Sequence, residues 1–407
     1  MTETPLHREA SWADRLIVSI FLAVMALPVA VSLAHLEPAA SQYENRNLGP
    51  IPTLAWSAKS LSVFPAAFES WYNDHFGLRN QFIRWHHLWK LRVLNVSPSP
   101  SVILGKDGWL FDDDTVAYFR APPLSPDELE RWRKFFEERQ DFVHLEGLPY
   151  LLVIAPSPCS IYPEFLPDPV RRGNRETRLD QLLKYMEKNS RVRILDLRPA
   201  LLEAKRTGRL YNRTDTHWND LGAYVAYAEI MKGVAAHFPG TEPLPLSAFR
   251  ISSPLAAGGD IAKLLAMPDI FQEEKIELVP LTPRRSRVAE WLPPGSNPPG
   301  AFSMKQDDPS RPKAIVFHDS FTYASLYPFL AGHFSEIWFH WNHYFGPGLQ
   351  FDVNAGSGRT MRWNPGLLDG GEKRVSMMVI HEFAERFLLY DALPTLMDDS
   401  KAPIHSK

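Results

Sequence analysis

Residues Ala314–Phe321, AIVFHDSF, read as a short, continuous apolar strand that runs straight into the start of a helix extending to about Gly332. A strand of that kind has no polar face to give to water, so it belongs inside a sheet covered on both sides. Similar stretches lie on either side of it in the chain: YLLVIAP at Tyr150–Pro156, VRILDL at Val192–Leu197, EIWFHW at Glu336–Trp341 and SMMVIHE at Ser376–Glu382. Segments of helical periodicity separate them, from Ser125 to about Glu146, Glu176 to Lys188, and Asn219 through LGAYVAYAEIMKGVAAHF. Strand and helix in alternation predict an α/β fold, a doubly wound, mostly parallel sheet with helices on both faces. Ligands of such sheets bind beyond the carboxyl ends of the strands. The stretch from Pro239 to Pro312 is rich in proline and poor in periodicity, and reads as a long insertion of loops.

Ser320 therefore sits where a strand ends and a helix begins. A serine there projects its hydroxyl from the sheet edge, beside amides able to stabilise an oxyanion. Asp319 and Ser320 are also ordinary helix N-cap residues, and the two readings stand side by side. A second group is Thr214-Asp215-Thr216-His217-Trp218-Asn219, just before the helix at Asn219. An aspartate two residues before a histidine can fix the imidazole tautomer and leave the other nitrogen to take a proton from a serine. Its structural alternative has Asp215 or Thr216 capping the helix and His217 on the surface. Metal binding by His217, His318, Asp319, His340 and His343 is disfavoured, because no pair has the helical spacing of a zinc enzyme.

Composition narrows the class. The chain has 407 residues with a net charge of -3, which argues against a general nucleic-acid binder. Its single cysteine, Cys159, excludes an intramolecular disulfide, a zinc ribbon and an iron–sulfur cluster. Thirty-six prolines imply long ordered loops, and twelve tryptophans suit either a core or sugar stacking.

Leu16–Ala34, LIVSIFLAVMALPVAVSLA, is uncharged and long enough to cross a bilayer. Arg8 and Arg15 precede it and the next basic residue is Arg46, so the N-terminus is expected in the cytoplasm and the remainder outside. The alternative is a cleaved signal peptide with Ser32 and Ala34 before the cut. The expected layout is a cytoplasmic tail at 1–14, an anchor at 15–36, a linker with a helical and hairpin segment at 37–110, the main domain at 111–395 containing the insertion 239–312, and a tail at 396–407. Within the third part, Phe64, Phe68, Trp71, Phe76, Phe82, Trp85 and Trp89 fall at helical spacing, with a break at Gly77. SVILGKDGWLF then reads as a hairpin.

Several of these segments stand in the order of a known family: WYNDHFGLRN (71–80), GKDGWLF (105–111), IYPEFLP (161–167), DTHWNDLG (215–222), GDIAKLL (259–265), HDSF (318–321) and EFAERF (382–387). Together with the apolar N-terminus they resemble the AlgX/AlgJ alginate O-acetyltransferases, whose catalytic domain is similar to the SGNH hydrolases. The resemblance implies that Ser320 is the nucleophile, His217 the base and Asp215 its orienting carboxylate, in an order permuted from ordinary SGNH enzymes. Amides near Ser320, with Gly259, would hold the oxyanion, and Trp341, Asn342 and Tyr344 are candidates for substrate contact. Pro158 departs from the family, which tends to carry a lysine after IAPS. The implied reaction is O-acetylation of an exported polysaccharide from the periplasmic side of the inner membrane, with no cofactor and no metal, acetyl being supplied by a membrane-bound O-acyltransferase partner. The competing readings are a polysaccharide O-acetyl esterase with the same triad and a non-catalytic polysaccharide-binding or assembly protein. Two basic clusters, Arg171, Arg172, Arg175 and Arg178, and Arg284, Arg285 and Arg287, either meet an anionic polymer or are solvated surface.

Overall fold

The computed structural model describes residues 11–34, 48–145, 147–170, 176–283, 285–291, 301–342 and 376–390. His343, Tyr344, Phe345, Arg171, Arg172, Arg175 and Arg284 lie outside these described residues. The chain divides into two compact units, one containing residues 1–99 with 263–267, the other 100–262 with 268–402.

In the first unit, α1 spans Trp12–Leu33, and Ser11 and Asp14 form a capping box at its start. Among the described residues it is the one helix long and apolar enough to cross a membrane, with a mean hydropathy of 2.2 over Trp12–Ser32 and almost none of it buried. Two further helices follow, α2 at Ala58–His75 and α3 at Arg79–Trp89. The chain turns between them at Gly77 and Leu78, and Leu78 takes φ 67°.

The second unit is built on a seven-stranded sheet: β1 Tyr150–Ala155, β2 Ile194–Asp196, β3 Arg287–Trp291, β4 Phe302–Lys305, β5 Lys313–His318, β6 Glu336–Trp341 and β7 Met377–Ala384. Their spatial order is β2-β1-β7-β5-β6-β4-β3. The first five in that order are parallel, and β4 and β3 extend the sheet antiparallel. Period-two alternation explains why the strands are apolar throughout. Val153 and Ala155 enter a cluster with Ala223, Ala226 and Ile230 of the helix Asp220–Ala235 on one face, while Leu152 and Ile154 pack with Trp132, Phe136 and Leu179 on the other. The central strands are thus roofed on both sides, as an α/β sheet requires.

The segment Val102–Leu104 pairs antiparallel with Leu110–Asp112 around Asp107 and Gly108, both at positive φ, so the expected hairpin is present. The Pro239–Pro312 stretch differs from expectation. Among its described residues are six short strands: β3, β4, and the pairs Phe249–Ser252 with Glu277–Pro280 and Leu255–Ala256 with Glu273–Glu274. Strands of two to five residues with prolines between them are too short to register as periodicity.

Candidate functional site at the carboxyl edge of the sheet

β5 occupies the centre of the sheet and delivers His318, Asp319 and Ser320 to its carboxyl edge. Asp319 takes the capping role there. Its Oδ1 accepts from Phe321 N at 2.9 Å and its Oδ2 from Ala384 N, the last residue of β7, at 2.7 Å. Ser320 is left with its hydroxyl free of that duty, half-buried, its oxygen 3.5 Å from Arg386 Nη2. A π-helical turn, Thr322–Leu326, follows directly. Such turns recur at functional sites because they re-aim the residues around them.

Behind Ser320 lies a buried pair of carboxyls. Glu382 Oε2 accepts from Asp319 N at 3.1 Å and from Thr322 Oγ1 at 2.9 Å. Burial and the charge of Asp319 push the Glu382 carboxyl well above its usual range, and burial raises Asp319 as well. Two like charges so close cannot both ionise cheaply, so both carboxyls are pushed toward the neutral form.

The histidine loop runs directly into the N-terminus of the helix Asp220–Ala235. Asn219 is that helix's N-cap, its Oδ1 accepting from Leu221 N and Gly222 N, so neither Asp215 nor Thr216 is used as a cap. Asp215 Oδ1 instead accepts from His217 N at 3.0 Å and meets His217 Nδ1 at 2.7 Å. Its other oxygen accepts from Asp260 N at 3.0 Å. The imidazole ring lies against Phe321, the neighbour of Ser320, with centroids 5.2 Å apart, and Trp218 Nε1 donates to Phe321 O at 3.1 Å. His217 Nε2 is buried and makes no hydrogen bond among the described residues. A buried ring nitrogen without a partner is costly, and such groups concentrate where chemistry is done.

Burial disfavours the imidazolium, but the hydrogen bond and charge of Asp215, helped by the charge of Asp260, outweigh it and hold His217 above its ordinary pKa. Burial likewise opposes ionisation of Asp215, yet His217 and the amides of Asp260 and His217 bring it below the usual carboxylate value. Asp260, whose Oδ2 is 3.7 Å from His217 Nδ1, is raised by burial and by the Asp215 charge. Asp215, His217 and Asp260 each offer one potential ligand atom within 4.8 Å of the others. In this structure those atoms are engaged with one another and with Thr216, which donates to Asp260 through N at 2.8 Å and through Oγ1.

The strand-poor insertion turns out to support this loop. Gly259 N donates to Thr214 Oγ1 at 2.8 Å, so that donor is already used within the loop pair. An added Cβ on Gly259 would stand 2.4 Å from Asp215 Cβ and Oδ2, and only glycine lets the backbone there approach the Asp215 side chain so closely. Glu273, buried, accepts from Arg213 N, Thr214 N and Thr214 Oγ1, and pairs with Arg209 at 2.6 Å. Of the other candidates, Trp341 ends β6 against His318, centroids 5.0 Å apart, and Asn342 Nδ2 donates to Glu382 O at 2.7 Å. Asn342 Oδ1 is buried and without a hydrogen bond among the described residues. Asp260, Glu273, Glu382 and Arg386 are not singled out by the sequence, and Asp319 stands there only as a cap or a disfavoured metal ligand. Asp260 and Arg386 stand inside the motifs GDIAKLL and EFAERF, which is the signal that pointed nearest to them.

Comparison with known proteins shows what part of this chain is similar to. Residues 102–296 match the family described as SGNH hydrolase-like domain, acetyltransferase AlgX. The matched stretch carries Asp215, His217, Gly259 and Asp260, and stops before Ser320. A probable alginate O-acetylase AlgJ of Pseudomonas aeruginosa is 26% identical over 66% of this chain and 70% of its own length. The corresponding protein of Pseudomonas syringae pv. tomato is 27% identical over 46% of this chain, and there the match spans only 49% of the relative. Among solved structures, the O-acetyltransferase domain of Pseudomonas putida AlgJ superposes with a TM-score of 0.45 at 20% identity, covering 73% of this chain and 95% of that one. Bacillus cereus PatB1 gives 0.47 at 14% identity, covering 70% and 96%.

Proposed function

We propose that this chain is a membrane-anchored O-acetyltransferase that carries acetyl on Ser320 and passes it to hydroxyls of an exported polysaccharide. The observation that carries the reading is the His217 ring. One nitrogen is held by Asp215 at 2.7 Å, and the other is buried, unpartnered, and beside the residue that follows Ser320. His217 Nε2 takes the proton of Ser320 Oγ as that oxygen attacks the acetyl carbonyl of the donor. The tetrahedral intermediate collapses, and the leaving group departs with the proton held by His217, giving an acetyl ester on Ser320. A sugar hydroxyl then attacks that ester while His217 removes its proton, and Ser320 regains its hydrogen when the ester breaks. Arg386, 3.5 Å from Ser320 Oγ, supplies positive charge beside the oxygen that becomes negative.

The names of the relatives, alginate O-acetylases, support alginate as the acceptor. Alginate is a polyanion, and Arg386 at the site suits one. The helix α1 supports an anchor in the inner membrane with the domain on the periplasmic side. Acetyl then reaches the site from a membrane-bound O-acyltransferase, because cytoplasmic acetyl donors are across the bilayer.

The test is intact mass of the full chain in detergent after incubation with p-nitrophenyl acetate. One added acetyl group is expected on the unmodified chain and none on Ser320→Ala or His217→Ala. An adduct that persists in Ser320→Ala removes the proposal. With alginate present, acetyl should appear on the polymer; release of acetate alone would make the chain an esterase.

A further inference from the structure

Among the described residues, the first unit leaves a large aromatic surface without cover. Phe64, Phe68 and Tyr72 on α2 and Phe76, its C-cap, follow one another at four-residue spacing, and their rings form a ladder with centroids 5.9, 6.2 and 6.1 Å apart. On α3 the ladder continues through Phe82, 6.4 Å from Phe76, to Trp85, 5.8 Å from Phe82. Trp85 is 58% exposed and Trp89, one turn on, 52%. Residues four apart share a helix face, so this is one stripe across both helices. A soluble surface seldom leaves so many large apolar side chains together.

Within this unit the stripe has a fixed relation to the apolar helix. The turn between α2 and α3 packs on the last turns of α1: a Cβ on Gly77 would meet Pro28 O at 2.2 Å and Ser32 N at 2.8 Å, and Ser32 Oγ donates to His75 O at 3.3 Å. Pro28 is five residues from the end of α1, a rise of roughly 7 Å, which is the depth of a bilayer's headgroup boundary when α1 spans the membrane. Tryptophan and tyrosine concentrate at that level, where an apolar ring and a polar edge are both accommodated. Charge agrees. Residues 57–96 hold Lys59, Arg79, Arg84, Lys90 and Arg92 against Glu69 and Asp74, a positive surplus in a chain whose net charge is -3. Basic residues beside an apolar aromatic face describe a helix that lies in an anionic lipid interface.

We infer that α2 and α3 lie flat in the headgroup region of the leaflet at the C-terminal end of α1, with the Phe64–Trp89 stripe buried in lipid. This inference rests on α1 being a membrane span. It gives the chain a second membrane contact that a single flexible anchor would lack.

Site-directed spin labels test it on the full chain in phosphatidylethanolamine–phosphatidylglycerol vesicles. In a Cys159→Ala background, labels replace Val24 in α1, Tyr72 and Trp85 in the stripe, and Asn73, which is about 140° around α2 from Phe68. Oxygen and a water-soluble nickel complex then report on lipid and water. Labels at Val24, Tyr72 and Trp85 are expected to collide preferentially with oxygen, the label at Asn73 with nickel. If Val24 is lipid-exposed while Tyr72 and Trp85 behave like Asn73, the interfacial placement is wrong and the anchor stands. Protection of Tyr72 and Trp85 from both reagents means that protein covers the stripe, which also overturns the inference. A label at Val24 that meets nickel removes the anchor and the interfacial placement together. The unlabelled chain gives an independent reading, because bromine near the lipid headgroup should quench tryptophan emission less in Trp85→Phe/Trp89→Phe than in the parent.

Discussion

Gly259→Ala tests whether the insertion holds the histidine loop in working geometry. The new methyl group would lie 2.4 Å from Asp215 Cβ and Oδ2 and 2.8 Å from its Cγ. Ordinary carbon contacts are about 3.5–4.0 Å, so something must retreat by roughly 1 Å. Gly259 is tied through its amide to Thr214 Oγ1 at 2.8 Å, and Thr214 is itself held by buried Glu273. Asp215 is the freer partner, and moving it disturbs both its 2.7 Å contact with His217 Nδ1 and its 3.0 Å bond from Asp260 N. A misplacement of about 1 Å in a catalytic array costs on the order of 100-fold in rate, or about 2.7 kcal/mol of barrier. Overpacking should also cost about 1–3 kcal/mol of stability, so the assay belongs well below the unfolding midpoint. The measurement is the rate of Ser320 acetylation from p-nitrophenyl acetate, with folding checked by circular dichroism. Gly208→Ala is the control, since its methyl would meet only the end of the Leu221 side chain at 3.1 Å. A folded Gly259→Ala variant within threefold of the parent rate would refute the reasoning.

Asp215→Asn should cost about 10⁴ in rate by analogy with other serine–histidine–aspartate sites, while Asp260→Asn, 3.7 Å from the ring, should cost no more than about tenfold. Acylation requires neutral His217, so its rate in the parent should rise with pH through a midpoint above the free-imidazole value of about 6.5, and both substitutions should move that midpoint down. The same raised pKa means that charged His217 adds stability below about pH 6.5, and that this share is lost as pH rises through the folded-state value; a pH series of thermal unfolding on parent and His217→Gln reads it. Arg386→Gln should slow acylation by roughly tenfold, a weak version of losing an oxyanion donor, because the 3.5 Å approach to Ser320 is long; an unchanged rate denies Arg386 that part. Glu382→Gln should leave the stability within about 1 kcal/mol, since burial and the Asp319 charge already push that carboxyl toward its neutral form, whereas Glu382→Ala strands Asp319 N and Thr322 Oγ1 and should cost about 1–3 kcal/mol.

The central sheet was readable because burial on both faces writes itself into the strands as unbroken apolar runs. AIVFH, YLLVIAP, EIWFHW and SMMVIHE all became strands of one sheet, and the helices between them appeared where their caps and periodicity placed them. What the sequence hid was the insertion. Its strands have two to five residues, so their partners are chosen by contacts from distant parts of the chain: Phe249–Ser252 with Glu277–Pro280, and β4 with β6. Strand order is hidden for the same reason. β7, the last strand in the chain, sits in the centre between β1 and β5, and nothing local to Met377–Ala384 announces that.

The site divides along the same line. Asp215 and His217 could be paired on paper because two residues of separation in one loop bring carboxylate and ring together whatever the rest of the fold does. Ser320 could be singled out because a strand ran into a helix beneath it. The groups that set the chemistry of these three are all remote in sequence: Asp260 and Gly259 more than forty residues from His217, and Arg386, Glu382 and Ala384 more than sixty from Ser320. The last three meet Ser320 because β7 inserts beside β5 and puts its carboxyl end against the serine turn. That arrangement also resolves the two readings of HDSF. Asp319 and Ser320 were rivals for one cap, and the late arrival of Ala384 N gives Asp319 a second amide to hold. With Asp319 committed to the backbone on both sides, the turn is fixed without using the serine, and the hydroxyl of Ser320 is left for the substrate.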